Sequence, residues 1–394
     1  MIIMKNMQKI NCDMVAIVHR FFSEGKRKRG GFDKILDYFS AQGKTILLIE
    51  HPLTALKEGK NNCHHTIVSL MKNGELKELE TREAKSRINV LNWVYEVIFN
   101  VKYLRRVVGD KVLFAAVDPL NGLAGIICRH NFAKMYYHCI DYSTRRFDNY
   151  FLNKFYRFLL WLNLKNFDVI GVVSLRIKEE LEKITDCSSK IIYLPNSPIF
   201  KTVDLTKKNN PVLICTGGAI IPKYNYDFIV DLIADLKLAF PSIKLYAIGG
   251  LDEQPDYVQK LHNRLEKLSL KDNIIFTGFL LPDQLENFLV ESKIGLSFYD
   301  KNAAYYMYFG GPLKTREYAL YGIPSITDGS SATDEETVSE GAGFIVKNLA
   351  EAKEKIALLL NNDHIYKNYQ KNCIAWAQKN DKLKLLNSLY TKLS

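Results

Sequence analysis

The sequence predicts an α/β protein made of two doubly wound, parallel-sheet domains. Three observations carry this. Short apolar runs alternate with segments of helical period along the whole chain. Glycine-rich turns follow several of those runs. The 394 residues are enough for two large cores, and a composition of 47% apolar and 25% charged residues is that of a globular chain.

In the first half, Asp13–His19 (DMVAIVH) is a buried strand. The basic run Lys26-Arg27-Lys28-Arg29 follows, and Gly30-Gly31 opens a helix over 31–42 with Phe32, Ile35, Leu36 and Phe39 at helical spacing. Gly43 ends it and Lys44–Ile49 is the next strand, which completes a βαβ unit. His65–Met71 is a strand with a turn at Asn73-Gly74, and Ala84–Val107 a long helix. Val112–Val117 is a strand ending in Asp118. Open α/β sheets bind ligands at the C-terminal ends of their strands, although such an Asp also suits the cap of the next helix. Met135–Ile140 runs out through His138 and Asp141. The helix over 148–165 mixes aromatics with Lys154 and Arg157, as at a membrane interface or in a core with snorkelling cations. The strands 167–174 and 190–194 close the half at Pro195-Asn196.

In the second half, Lys201–Asn210 is polar and is expected to be a linker. Strands are expected at 212–215, 243–248, 273–277, 294–298, 325–326 and 343–346, with helices at 225–238, 257–268 and 283–290. Thr216-Gly217-Gly218 and Gly249-Gly250 are expected as turns after the first two strands. Helices 366–377 and 382–393 end the chain.

Charge is unevenly placed. Residues 1–200 carry 31 Lys and Arg against 20 Asp and Glu, while residues 201–394 carry 23 of each, so the first half holds the whole net charge of +11. An anionic partner for that half is expected. Membrane lipid, an acidic glycan and nucleic acid all qualify, but no helix-turn-helix, zinc-finger or RNA-binding signature supports nucleic acid. The seven cysteines show no CxxC spacing and no completed Cys/His set; Cys63-His64-His65 stands alone. No apolar run reaches the roughly 20 residues that span a bilayer, and no signal peptide is evident. The chain is expected in the cytoplasm, or peripheral at the inner face of the cell membrane.

The stretch Tyr308–Pro324 (YFGGPLKTREYALYGIP) gathers the chemistry. Gly310 and Gly311 let the backbone approach a ligand. Pro312 suits a first helical turn, and the helix from about Leu313 offers unpaired N–H groups to an anion. Lys314 and Glu317 share a face, being three apart. A cation, a helix start and a carboxylate suit a nucleoside diphosphate, with the carboxylate on the ribose diol; a loop with a solvated Lys-Glu pair is the plain alternative.

The run from Pro312 to Tyr318, followed by Gly322-Ile323-Pro324, resembles the donor-site signature of the retaining family 4 (group 1) glycosyltransferases. The resemblance covers nearly all of the second half and, more weakly, the first. It implies the GT-B fold, two Rossmann-like domains facing across a cleft. Residues 1–200 would be the acceptor domain, 201–210 the linker and 211–365 the donor domain, with 366–394 crossing back. It implies a nucleotide-sugar donor held by Gly217, Gly218, Lys223, Gly249, Gly310, Gly311, Lys314 and Glu317. It places Arg29, Gly30 and Gly31 beside the acceptor, and leaves Asp118, His138 or Asp141 to orient the acceptor hydroxyl. Two departures stand out: Phe309 occupies the position of the family's usual donor-sugar Glu, and Gly218 that of a frequent Arg. No cofactor or metal is expected, since lysines can stabilise a departing diphosphate. The expected acceptor is an anionic glycolipid or surface-polysaccharide precursor. The rivals are a nucleotide-sugar epimerase of the same fold and a non-catalytic basic adaptor.

Overall fold

The computed structural model describes residues 9–394 except 21, 24–25, 28, 53–64, 84–88, 209, 301, 303–304 and 306. Lys28 of the basic run, Cys63-His64 and the start of the helix expected from Ala84 lie outside the described residues. The chain forms two compact units, Met1–Leu194 with Leu386–Ser394, and Pro195–Leu385.

The first unit is built on an eight-stranded sheet. Its strands are β1 (Met14–Arg20), β2 (Ile46–Pro52), β3 (His65–Lys72) and β4 (Glu75–Glu83), then β5 (Leu113–Ala116), β6 (Lys134–Cys139), β7 (Val169–Val172) and β8 (Ile191–Tyr193). They lie in the order β8-β7-β6-β5-β1-β2-β3-β4. Every residue of β2 is buried, so both faces of the sheet are covered there. That two-sided burial is why β1 and β2 open in the sequence on the unbroken apolar runs MVAIV and ILLI.

β3 and β4 form an antiparallel hairpin on the edge of an otherwise parallel sheet. Its turn is Asn73-Gly74, with φ of 51° and 81°, the positive values that a two-residue hairpin turn requires. β4 (ELKELETRE) has no buried residue. A charged edge strand resists pairing with other chains and shows no apolar period, which is why only its turn was legible. The described helix before β5 is Asn89–Leu104, and Val107–Val108 leaves it to pair with Ile10–Asn11.

The second unit has a six-stranded, fully parallel sheet. Its strands are β9 (Val212–Ala219), β10 (Lys244–Gly250), β11 (Ile274–Gly278), β12 (Ile294–Ser297), β13 (Ser325–Thr327) and β14 (Gly343–Ile345). Their order is β11-β10-β9-β12-β13-β14. Gly217-Gly218 lie within β9 as an irregularity, not after it as a turn: the register against β10 shifts between Thr216 and Ala219. In each unit the strand order reverses beside one strand, β1 in the first and β9 in the second. The C-terminal ends at those switch points are where open α/β sheets bind ligands.

Residues 195–210 behave as a packed strap within the second unit. Phe200 and Val203 rest on the cluster that contains Tyr318, Leu320 and Trp376. Lys208 donates to the carbonyls of Leu289 (2.9 Å) and Ser292 (2.6 Å), and its burial lowers its pKa to about 7. Helix Asp363–Lys379 belongs to the same unit because Cys373, Trp376 and Ala377 bury in that cluster. Only from Leu386 does the chain rejoin the first unit, where the Tyr390 ring meets Tyr38 and Phe39 at 6.1 and 5.2 Å.

Gly295 in β12 allows helix Lys314–Leu320 to seat. A Cβ there would lie 2.3 Å from the Tyr318 ring. Gly295→Ala should therefore destabilise the second unit by about 1–3 kcal/mol, the usual cost of overpacking. Urea denaturation checks it, and an unchanged midpoint would show that the ring moves aside freely.

Candidate functional site

A cavity of about 370 Å³ opens at the switch point of the second unit. Gly217, Gly218, Lys223, Gly249, Lys314 and Glu317 line it, with Tyr224, Tyr299, Phe279 and Pro312 as further walls. The structure thus gathers six of the residues that the sequence assigned to a nucleotide. Gly310 and Gly311 are not among its lining. They form the loop in front of the helix, and Asn196 Nδ2 holds that loop by donating to Gly311 O at 3.0 Å.

Helix Lys314–Leu320 is short, and its neighbours orient it. Arg316 points away from the cavity and makes a bidentate pair with Glu336, both contacts 2.8 Å, beneath the Trp376 ring. Tyr318 also points inward, and its hydroxyl accepts from the Thr216 N–H at 2.7 Å. With both anchored, Lys314 and Glu317 must face the cavity.

Lys314 is 8% exposed, yet its Nζ has no hydrogen-bond acceptor among the described residues. It lies over the rings of Tyr299 (4.5 Å) and Tyr224 (5.0 Å). Nearby Asp334 is a weak counter-charge: burial lifts its carboxyl to about 7, against the opposing pull of the Ser331 groups and Lys314. A buried ammonium without an acceptor is costly, and an entering anion relieves that cost. Lys223, at the rim, is exposed.

A second cavity, of about 450 Å³, lies within the first unit at its own switch point. Asp118 and Asp141 line it; His138 does not. His138 is 2% exposed, bonded to the Tyr136 hydroxyl at 2.7 Å and stacked on Phe32. Both readings of Asp118 describe it, since it caps helix Pro119–Ile127 and faces the cavity. His19 and Glu96 complete the polar floor. His19 Nδ1 meets Asp118 at 2.8 Å and Nε2 meets Glu96 at 3.1 Å. No local signal in the sequence marks either residue: His19 lies at the end of an apolar strand, and Glu96 lies inside the helix Asn89–Leu104.

Arg29, Gly30 and Gly31 are not among the residues lining either cavity. Arg29 pairs on the surface with Asp37. Gly30 caps helix Gly31–Ala41, its N–H donating to Asp33 at 2.5 Å. Asp33 is in turn held by Arg20 at 2.7 and 2.8 Å. Among the described residues no group of three or more His, Cys, Asp and Glu is placed to hold a metal.

Burial opposes charge on His19, but the carboxylates of Asp118 and then Glu96 outweigh it and raise its pKa from 6.5 to about 10. Burial likewise opposes charge on Asp118, and the imidazolium holds it below the usual carboxylate range. A raised folded-state pKa stabilises fully below the unfolded value of 6.5 and ceases to do so as pH rises through about 10. The first unit should therefore lose stability across that window. Denaturation profiles of the wild type and His19→Gln check this: the variant should lack that component, and parallel profiles would contradict it.

Residues 200–379 match the family described as glycosyl transferases group 1. No curated protein matches the chain. Among solved structures, Anabaena HepE in complex with UDP aligns with a TM-score of 0.64 at 14% identity, over 96% of this chain and 99% of that one. A glycosyltransferase from Rickettsia africae aligns with 0.64 at 14%, over 98% of each chain. WaaG, a glycosyltransferase involved in lipopolysaccharide biosynthesis, aligns with 0.60 at 14%, over 95% of this chain and 98% of that one. At such identities the alignments speak for the fold, and the family match speaks for the second unit. Residues 200–379 thus match the group 1 glycosyl transferases, and the chain has the GT-B fold.

Proposed function

We propose that the chain moves a sugar from a nucleoside-diphosphate sugar to a glycolipid or surface-polysaccharide precursor, with retention of configuration. The observation that carries the donor half is Lys314, a buried cation without an acceptor at the wall of the cavity at the β9 switch point. In this reading Lys314 and Lys223 hold the diphosphate, and their charge stabilises it as it departs. Glu317 accepts the ribose hydroxyls. The aromatic walls Tyr224, Tyr299 and Phe279 offer the base a surface. UDP, present in the HepE complex, is the first nucleotide to try. Retention rests on the motif resemblance alone. Asp118 and Asp141 serve the acceptor side, while His138 and the Arg29-Gly30-Gly31 loop act there only if the acceptor extends beyond the cavity.

Thermal unfolding against a panel of nucleoside diphosphates and their sugar conjugates tests this. A ligand of the folded state must raise the midpoint. One base should do so, and Lys314→Ala should weaken that ligand by roughly tenfold or more, the usual effect of losing a charge-assisted bond. Glu317→Ala should weaken the sugar conjugate and the free diphosphate alike. No rise with any nucleotide would sink the donor assignment.

The acceptor is proposed to be met at an anionic membrane surface. No described helix is long and apolar enough to cross a membrane. Helix Tyr150–Asn166 nevertheless exposes Tyr150, Phe151, Phe155 and Phe158, with Lys154 over the Tyr150 ring at 4.7 Å. Aromatics with interleaved cations suit a lipid interface. Co-sedimentation with phosphatidylglycerol vesicles should be strong at low salt, and Phe151→Ser with Phe158→Ser should reduce it severalfold. Equal recovery with neutral vesicles would argue against the charge term.

A further inference from the structure

The carboxylates of the first unit's cavity are not equivalent. Asp118 is saturated: Oδ1 accepts from the N–H groups of Leu120 (3.0 Å) and Asn121 (2.9 Å). Its Oδ2 accepts from His19 Nδ1 (2.8 Å) and Asn121 Nδ2 (2.5 Å). A carboxylate has about four acceptor positions, so Asp118 has none to offer a ligand. Glu96 differs. Its Oε2 meets His19, and its Oε1 has no partner among the described residues. The side chain is 12% exposed and lines the cavity, so that oxygen is held in place and open to an occupant. Asp141 lies at the exposed edge of the same cavity.

The walls narrow the chemistry further. Trp93, Phe147, Tyr156 and Leu159 present apolar surface to the polar floor. Aromatic walls with carboxylate acceptors suit a sugar or polyol, which offers C–H faces and hydroxyl donors together. Two cations, His19 and Arg146, face three carboxylates, so the cavity itself is not basic although its unit is. An anionic group would meet repulsion from the unpaired carboxylates. Phe155 lines the cavity and is also 50% exposed, so the apolar lining runs outward to the stripe of Phe151 and Phe158.

We infer that this cavity binds the neutral, hydroxylated head of an amphipathic acceptor, with Glu96 Oε1 accepting a head hydroxyl and the hydrocarbon lying along Phe155. His19 and Asp118 are positioning residues: Asp118 is fixed by the helix it caps, His19 by Asp118, and Glu96 by His19. Any anionic group of the acceptor stays outside, among the surface cations. The inference rests on the glycosyltransferase reading and names the substrate class of its acceptor side.

Binding of neutral octyl glycosides (glucoside, galactoside and mannoside) below their micelle concentrations, followed by saturation-transfer NMR and calorimetry, tests it. At least one should saturate the wild type. Glu96→Gln should weaken it about tenfold, as expected for loss of a charge-assisted hydrogen bond. Asp118→Asn should weaken it as Glu96→Gln does and also remove the alkaline titration of His19, which a merely structural change would leave in place. Failure of all three glycosides to saturate, an unchanged affinity in Glu96→Gln, or tighter competing binding of octyl sulfate would overturn it. UDP binding is measured alongside: retention in Glu96→Gln shows an intact fold, whereas its absence from the wild type counts against the donor assignment alone.

Discussion

The second unit depends on one buried guanidinium. Arg316 is 1% exposed and spans Glu336, the Thr333 hydroxyl, the Asn196 carbonyl and the face of Trp376. These partners come from three separated stretches of chain, so the pair does more than join two residues. Helix Lys314–Leu320 is too short to hold itself together in water. Its rotational phase comes from Arg316 and Tyr318 being fixed on one side, and that phase aims Lys314 and Glu317 at the cavity. Breaking a buried pair by removing one partner typically costs about 3–5 kcal/mol, because the other charge is stranded. The cavity at the β9 switch point is thereby coupled to the strap at 195–200 and to the helix Asp363–Lys379.

The two cavities satisfy their charges in opposite ways. In the second unit a cation is left unsatisfied, and burial raises the carboxyl of nearby Asp334 to about 7. That arrangement stores a cost which an anion can release. In the first unit a chain of bonds runs from the helix cap at Asp118 through His19 to Glu96. One carboxylate is consumed so that another is held in place. The +11 charge of that half lies elsewhere, so net charge alone misleads about what the cavity itself prefers.

The strand ends also explain why two sites occur in one chain. Each sheet reverses its order beside a single strand, and the loops leaving neighbouring strands there diverge in opposite directions. The gap left at that point is a cavity in both units. In the second it is floored by Gly217, Gly218 and Gly249; in the first it is floored by the imidazole at the end of β1.

Much of this was legible in the sequence because the physics is local. Unbroken apolar runs mark strands buried on both faces, helical spacing marks Gly31–Ala41 and Tyr226–Ala239, and Asn73-Gly74 marks a hairpin turn. The run from Pro312 to Pro324 marked the helix that places Lys314 and Glu317 at the second unit's cavity, since cation, carboxylate and glycine spacing along one turn is a property of the chain itself. What the sequence could not disclose depends on partners distant along it. β4 has no period because it sits on an edge. His19 and Glu96 are separated by 77 positions, and their chemistry exists only once β1 and a helix bring them to 3.1 Å. Likewise the sequence names Lys314, but only the tertiary structure removes its acceptors and encloses it with tyrosine rings. Residue type and spacing determined the fold and the motif that lines the second unit's cavity. Burial, which no single stretch of chain controls, decided which charged groups are satisfied and which are left for a ligand.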